Sequence, residues 1–215
     1  MSSASQQPAR TDHVRIGIFG GTFDPVHWGH LLLAESAREQ CRLDEVWFVP
    51  ANRPPHKSDR EITMPRHRLN MLELATTGLP SLLVSRVEIG RDGPSYTVDT
   101  LEQIAADRPE ANLVLLMGQD TLHDFPTEIW RHQGRIVELA ELGVVNRNDQ
   151  PLIIPEGCRD FVDRILPVSM PMSGLSSSEI RSRVSEDRSI LFRTPRAVEL
   201  YIAEHGLYKT APHRG

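Results

Sequence analysis

Two histidines three positions apart, His27 and His30, stand directly after an apolar segment and a glycine pair, in the run Gly20-Gly21-Thr22-Phe23-Asp24-Pro25-Val26-His27-Trp28-Gly29-His30. The residues that follow, Leu31–Arg42, have helical character. On a helical turn the two imidazoles share a face. The glycines predict a tight turn and close approach of backbone to a ligand. The helix start aims its free N–H groups at the same place, which makes an anion site. Thr22 adds a hydroxyl donor, and Gly29 removes a side chain between the imidazoles. Such a set can stabilise charge on a phosphate undergoing displacement.

Other chemistries need residues that the run lacks. A His-x-x-His pair could bind a metal, but no third ligand stands nearby and the glutamate of a His-Glu-x-x-His zinc protease is missing. Neither a Walker phosphate loop nor the Gly-x-Gly-x-x-Gly dinucleotide fingerprint occurs. The serines at 176–178 are not framed by a Gly-x-Ser-x-Gly elbow, so a hydrolase nucleophile is unsupported.

The elements that must position these groups are legible as an alternation. Val14–Phe19, Val46–Val49, Leu82–Ile89, Leu113–Met117 and Leu142–Val145 are strand-sized apolar runs, and Ile165–Val168 could add another. Between them His30–Arg42, Arg68–Thr77, Tyr96–Asp107 and His132–Glu141 fit helices. Strands alternating with helices imply βαβ units and an α/β fold: a doubly wound, mostly parallel sheet buried on both faces. A loop Ser169–Gly174, a serine-rich helix start at Ser176–Ser178 and a last helix near Pro195–His205 read as a C-terminal helical extension of the same domain. Ligands in such sheets bind beyond the carboxyl ends of the strands, where strand order reverses.

Several further motifs fall at such strand ends. Pro54-Pro55-His56-Lys57 is a stiffened basic loop, and its imidazole and ammonium offer donors to an anion. In Gly93-Pro94-Ser95-Tyr96-Thr97-Val98-Asp99, Ser95 and Thr97 can cap a helix whose first turn holds Asp99. The free N–H groups there suit a carboxylate better than a neutral carboxamide. Gly118 and Asp120 follow a strand, where a turn and a ribose or base contact are expected. Ser176 and Glu179 have the spacing of a capping box, ahead of Arg181.

Composition sets the outer bounds. The 215 residues carry a formal net charge of −5, with 39% hydrophobic and 25% charged residues. That is an ordinary globular balance. The negative balance disfavours non-specific nucleic-acid binding but leaves room for a phosphorylated small substrate held by a local cation cluster. No apolar run reaches bilayer length, and the polar stretch Met1–Asp12 has no signal-peptide core. The two cysteines, Cys41 and Cys158, fit no metal spacing and no disulfide framework. A cytoplasmic location is the expectation.

The full run from Thr22 through Asp24, Pro25, His27 and Gly29 to His30 resembles the nucleotidyltransferase α/β-phosphodiesterase superfamily, whose signature is His-x-Gly-His after the first strand. The Pro-Pro-His-Lys loop and the Ser-Tyr-Thr helix start resemble the bacterial nicotinate-nucleotide adenylyltransferases. The likeness runs from about Val14 to Tyr208 and implies a Rossmann-like fold with 14–208 as a single domain between tails 1–13 and 209–215. It implies direct attack of the acceptor's phosphate on the α-phosphorus of ATP, with magnesium carried on the triphosphate and no covalent enzyme intermediate. His27, His30, Lys57 and Arg181 would then be catalytic. Gly20, Gly21, Thr22, Phe23, His27, His30, Gly118, Asp120, Arg147, Ser177, Ser178 and Arg181 would surround ATP. His56, Lys57, Tyr96, Thr97 and Trp130 would hold nicotinate mononucleotide. This sequence departs from the pattern at Gln119, at Ser178 (a threonine in the family) and in Trp130, which falls two residues late relative to Asp120. Transfer to nicotinamide mononucleotide or phosphopantetheine, or a non-catalytic nucleotide-binding role, are the alternatives.

Overall fold

The computed structural model describes residues 13–52, 62–91, 93–128, 130–147, 151–171 and 174–209. The N-terminal stretch, the tail beyond residue 209, and His56 and Lys57 lie outside these residues. Six strands, β1 (Arg15–Gly21), β2 (Glu45–Pro50), β3 (Leu82–Val84), β4 (Asn112–Gly118), β5 (Ala140–Arg147) and β6 (Ile165–Met170), form one sheet in the order β3-β2-β1-β4-β5-β6. Every neighbouring pair is parallel.

The strands are apolar almost throughout, yet their side chains alternate strictly between two cores. Ile16, Ile18, Leu113, Leu115 and Met117 point into one, Phe19, Val46, Phe48, Val114 and Leu116 into the other. That is the period of two expected of a strand buried on both faces. The helices divide to match. α1 (Trp28–Gln40), α2 (Pro65–Thr76), α6 (Ser177–Ser185) and α7 (Arg196–Glu204) bury Leu31, Met71, Leu72, Ile180, Val198 and Ile202 with Phe48. α3 (Thr97–Asp107), α4 (Gln119–Asp124) and α5 (Gln133–Leu139) bury Val98, Leu101, Leu122 and Ile136 on the opposite face. The order reverses between β1 and β4, so their carboxyl ends open a crevice there.

Several local expectations need correction. Gly20 and Gly21 are the last residues of β1, paired with Val49 and Pro50, and do not form a turn. The turn is made by Thr22–Val26, where Phe23 takes φ 49° and the Asp24–Pro25 peptide is cis. Gly21 is required for a different reason: a Cβ there would lie 2.8 Å from Cζ of Phe23. β3 ends at Val84 instead of running to Ile89 because the chain turns, with Ile89 N–H bonded to the Arg86 carbonyl at 3.0 Å. Ala140 and Glu141 belong to β5 and not to the preceding helix, their backbone being drawn into register with Leu113 and Val114 of β4. The loop expected at Ser169 starts later, since Ser169 and Met170 pair with Asn146 and Arg147. A 3-10 helix at Glu156–Arg164 was not legible.

Candidate functional site

The crevice is lined first by the β1–α1 loop. His27 is the N-cap of α1, with extended backbone angles, and its carbonyl receives the His30 N–H at 2.9 Å. The His27 backbone N–H in turn donates to Nδ1 of His30 at 3.2 Å. A backbone N–H can only donate, so Nδ1 of His30 carries the lone pair and a neutral ring carries its proton on Nε2. The rings of His27 and His30 stack with centroids 3.7 Å apart and 24° between planes. Phe23 meets the His30 ring edge-on at 5.1 Å, and Phe19 flanks it at 6.0 Å. The imidazoles are thereby oriented before any ligand arrives. His27 is buried and His30 half-buried.

The C-terminal extension braces this loop from behind. Arg181 donates to the Asp24 carbonyl at 2.5 Å, Ser177 Oγ to the Pro25 carbonyl at 2.9 Å, and Thr194 Oγ1 to the Val26 carbonyl at 2.7 Å. The Trp28 N–H reaches the Arg193 carbonyl at 3.3 Å. The start of α6 therefore lies against the start of α1. Ser176 caps α6 by accepting from the Glu179 N–H at 3.2 Å. The return half of the expected capping box is diverted, since the Glu179 carboxylate receives Arg193 at 3.1 Å. Ser178 is exposed, its Oγ 3.1 Å from that of Ser176.

On the far side of the sheet's reversal, Gly118 closes β4 and stands at the N-cap of α4, with exposed Asp120 in that helix's first turn. Gln119 does something the sequence did not foretell: its amide exchanges hydrogen bonds with Ile153, at 2.6 Å to the carbonyl and 3.1 Å from the N–H. It ties the crevice wall to the segment between β5 and β6. Arg147 is the last residue of β5 and shares this edge.

The start of α3 forms the other end. Its cap residue is Tyr96; neither Ser95 nor Thr97 caps it through a side chain. Thr97 is its first residue and Asp99 lies in its first turn, as expected. Ser95 is instead occupied, accepting the Asn52 N–H at 3.1 Å. Tyr96 and Trp130 both pack on the same core cluster, Trp130 against Phe125 at 5.1 Å. The Arg131 guanidinium sits 4.3 Å from the Tyr96 ring centre, a favourable cation–π placement.

Glu88, Arg68, Asp24 and Tyr208 are buried or half-buried polar residues around these loops to which sequence reasoning gave no role. Glu88 is 6% exposed and accepts Thr100 Oγ1 at 2.7 Å, while Thr100 also receives Arg91 at 3.2 Å. Asn52 donates to the Arg91 carbonyl at 3.0 Å, so Glu88 organises the joint between the end of β2 and the start of α3. Burial pushes its carboxyl above the usual 4.5, against the hydrogen bonds from Thr100 and Ser95. An acid whose folded value is raised lends stability that is complete below its unfolded value and lost as pH rises through the folded one. The Tm of the wild type relative to a Glu88→Gln variant should therefore decline as pH is raised from about 4.5. A difference that stays flat over that range would contradict the assignment.

Asp24 is 3% exposed; its carboxylate receives Tyr208 Oη at 2.8 Å and the Thr63 N–H at 3.4 Å. Burial, with Asp24 beside it, raises the Tyr208 phenol, so it stays protonated and donates. Asp24 stood out only as part of the run that carries His27 and His30, Glu88 only as a polar residue in the apolar stretch Leu82–Ile89, and Arg68 looked no different from Arg66. Among the described residues no group of three or more His, Cys, Asp or Glu side chains is arranged to hold a metal. No described helix is long and apolar enough to cross a membrane. Cys41 and Cys158 are both buried free thiols.

A parallel sheet of this order, with stacked imidazoles capping the helix at its switch point, defines a Rossmann-like nucleotidyltransferase. The chain belongs to the cytidylyltransferase-like family, whose model matches residues 18–183, and within it to the nicotinate-nucleotide adenylyltransferases. It is 48% identical to a probable nicotinate-nucleotide adenylyltransferase of Thermomicrobium roseum, over 91% of this chain and 92% of that protein. The protein so named from Thermus thermophilus is 43% identical, over 91% of this chain and all of its own length. Among solved structures, Plasmodium falciparum nicotinic acid mononucleotide adenylyltransferase complexed with NaAD superposes with a TM-score of 0.75 at 20% identity, over 91% of this chain and 98% of that one. At that identity the match carries the fold.

Proposed function

We propose that this chain transfers the adenylyl group of ATP to nicotinate mononucleotide, forming nicotinate adenine dinucleotide and pyrophosphate in NAD biosynthesis. The observation that carries the reading is the stacked His27–His30 pair at the N-cap of α1, on the same sheet edge as the start of α3. A phosphate oxygen of the acceptor attacks the α-phosphorus, and the bond to the β-phosphate oxygen breaks as pyrophosphate leaves. Such a reaction needs positioning and charge neutralisation more than covalent help. The N–H groups of α1, Thr22, His27 and His30 face the reacting phosphate, with Gly20, Gly21 and Phe23 shaping the loop. The start of α6, with Ser177, Ser178 and Arg181, takes the β- and γ-phosphates. Gly118, Asp120 and Arg147 hold the nucleoside. His56 and Lys57 receive the acceptor's phosphate, and Tyr96, Thr97 and Trp130 its nicotinate ring, whose carboxylate gains from the helix start what a carboxamide would not. Magnesium is assigned to the triphosphate, because it usually binds through substrate phosphates and few protein carboxylates. We assign the enzyme to the cytoplasm and exclude nucleic acid as a substrate.

The test is pyrophosphate release from ATP and magnesium with three acceptors: nicotinate mononucleotide, its amide and phosphopantetheine. The expected result is strong preference for the first. Preference for another acceptor would overturn the substrate assignment, and ATP binding without turnover on any would favour a binding role.

A further inference from the structure

Arg68, on the first turns of α2, has no exposed surface at all, yet its guanidinium makes no hydrogen bond to a carboxylate. Its four hydrogen bonds all go to backbone carbonyls. Nη1 donates to Thr22 at 2.9 Å, Nη2 to Ala51 at 2.7 Å and to Asn52 at 3.4 Å, and Nε to Thr63 at 2.8 Å. These carbonyls belong to separate stretches of chain. Thr22 begins the loop that carries His27 and His30; Ala51 and Asn52 follow β2; Thr63 precedes α2. Between Asn52 and Thr63 runs the sequence that contains His56 and Lys57. The Ala51 N–H to the Gly21 carbonyl at 2.9 Å, and the Thr63 N–H to Asp24, join the same stretches a second time.

We propose that Arg68 is a positioning residue for adenylyl transfer: its planar fork fixes the loop that holds the donor's phosphates against the chain that leads to the acceptor's phosphate ligands. The inference rests on the proposed reaction. An apolar side chain here would leave the carbonyls of Thr22, Ala51, Asn52 and Thr63 without this donor, so Arg68 also contributes to stability, and the experiment must separate that from positioning. What an apolar side chain cannot do is hold carbonyls from three stretches in one plane. The guanidinium is suited to that because its five N–H groups lie in a rigid fork. Two reacting phosphates must meet in line, and a misplacement of about 1 Å costs roughly a hundredfold in rate. The carboxylates of Asp24 and Glu88 act on this charge from nearby, although neither is hydrogen-bonded to it.

The experiment compares wild type with Arg68→Lys and Arg68→Gln, measuring Kd for ATP and nicotinate mononucleotide, KM, kcat and Tm. The glutamine variant buries no ammonium, which keeps the test alive if the lysine variant does not fold. In a folded variant we expect kcat to fall about tenfold to a hundredfold, while both Kd values change by less than about threefold, because each loop still binds its own ligand. Arg68→Lys should not restore the rate, since the charge returns without the fork. A lowered Tm with kcat unchanged per folded molecule would overturn the proposal, as would a loss confined to Kd. Wild type that makes no dinucleotide would instead overturn the reaction on which the inference rests.

Discussion

A His30→Ala variant should keep its fold and lose about a hundredfold to a thousandfold in kcat, the usual cost of removing one preorganised donor from a developing oxyanion. His30 is half-buried, held by the His27 N–H at 3.2 Å and stacked on the His27 ring at 3.7 Å, so its Nε2–H is aimed before substrate arrives. Preorganisation of that kind acts mainly on the transition state, so ATP affinity should fall far less than kcat. Losing the contact to the helix cap should cost about 0.5–2 kcal/mol of stability. Steady-state pyrophosphate release, read beside thermal unfolding, checks both parts. Normal turnover in a folded His30→Ala protein would sink the mechanism. His27 is harder to probe this way, because it is buried at 6% exposure and its substitution would disturb the cap itself.

Phe48→Ala should destabilise the chain by about 3–5 kcal/mol, from lost apolar transfer together with the cavity left behind. The ring is fully buried in the middle of β2 and touches Phe19 and Phe23, each with centroids 5.5 Å away. Phe23 in turn rests edge-on against His30. The cavity therefore opens beneath the loop that carries His27 and His30, and kcat should fall as well, though less than in His30→Ala. Leu83→Ala is the natural comparison, because Leu83 is 39% exposed on β3. Its effect should stay within about 1 kcal/mol. Urea unfolding of the two variants measures the contrast. Equal losses would mean that the aromatic cluster is not the anchor we take it to be.

Much of this protein was determined by short-range pattern. The apolar runs at Val14, Val46, Leu113, Leu142 and Ile165 each became a strand, because a β-branched or apolar stretch of that length has few other ways to be buried on both faces. The loop bearing His27 and His30 was legible for the same reason: it follows a strand and opens a helix, and those local positions are where a phosphate is met. Ser176 became the cap that its spacing with Glu179 foretold. These features depend on neighbours a few residues away.

What the sequence misjudged depended on partners far along the chain. Gly20 and Gly21 looked like a turn but were drawn into β1 by pairing with β2, and the close approach of Phe23 is what requires Gly21. Leu82–Ile89 looked like one strand, but the chain turns after Val84 and Glu88 comes to accept from Thr100. Ser95 looked like a cap and was taken by the Asn52 N–H. Arg68 contacts carbonyls as far as 46 positions away, and Tyr208 reaches Asp24 across 184. A buried polar group must find partners wherever the fold brings them. Local sequence thus set which segments could be strand, helix or phosphate loop; only the assembled sheet decided which polar side chains would hold those loops together.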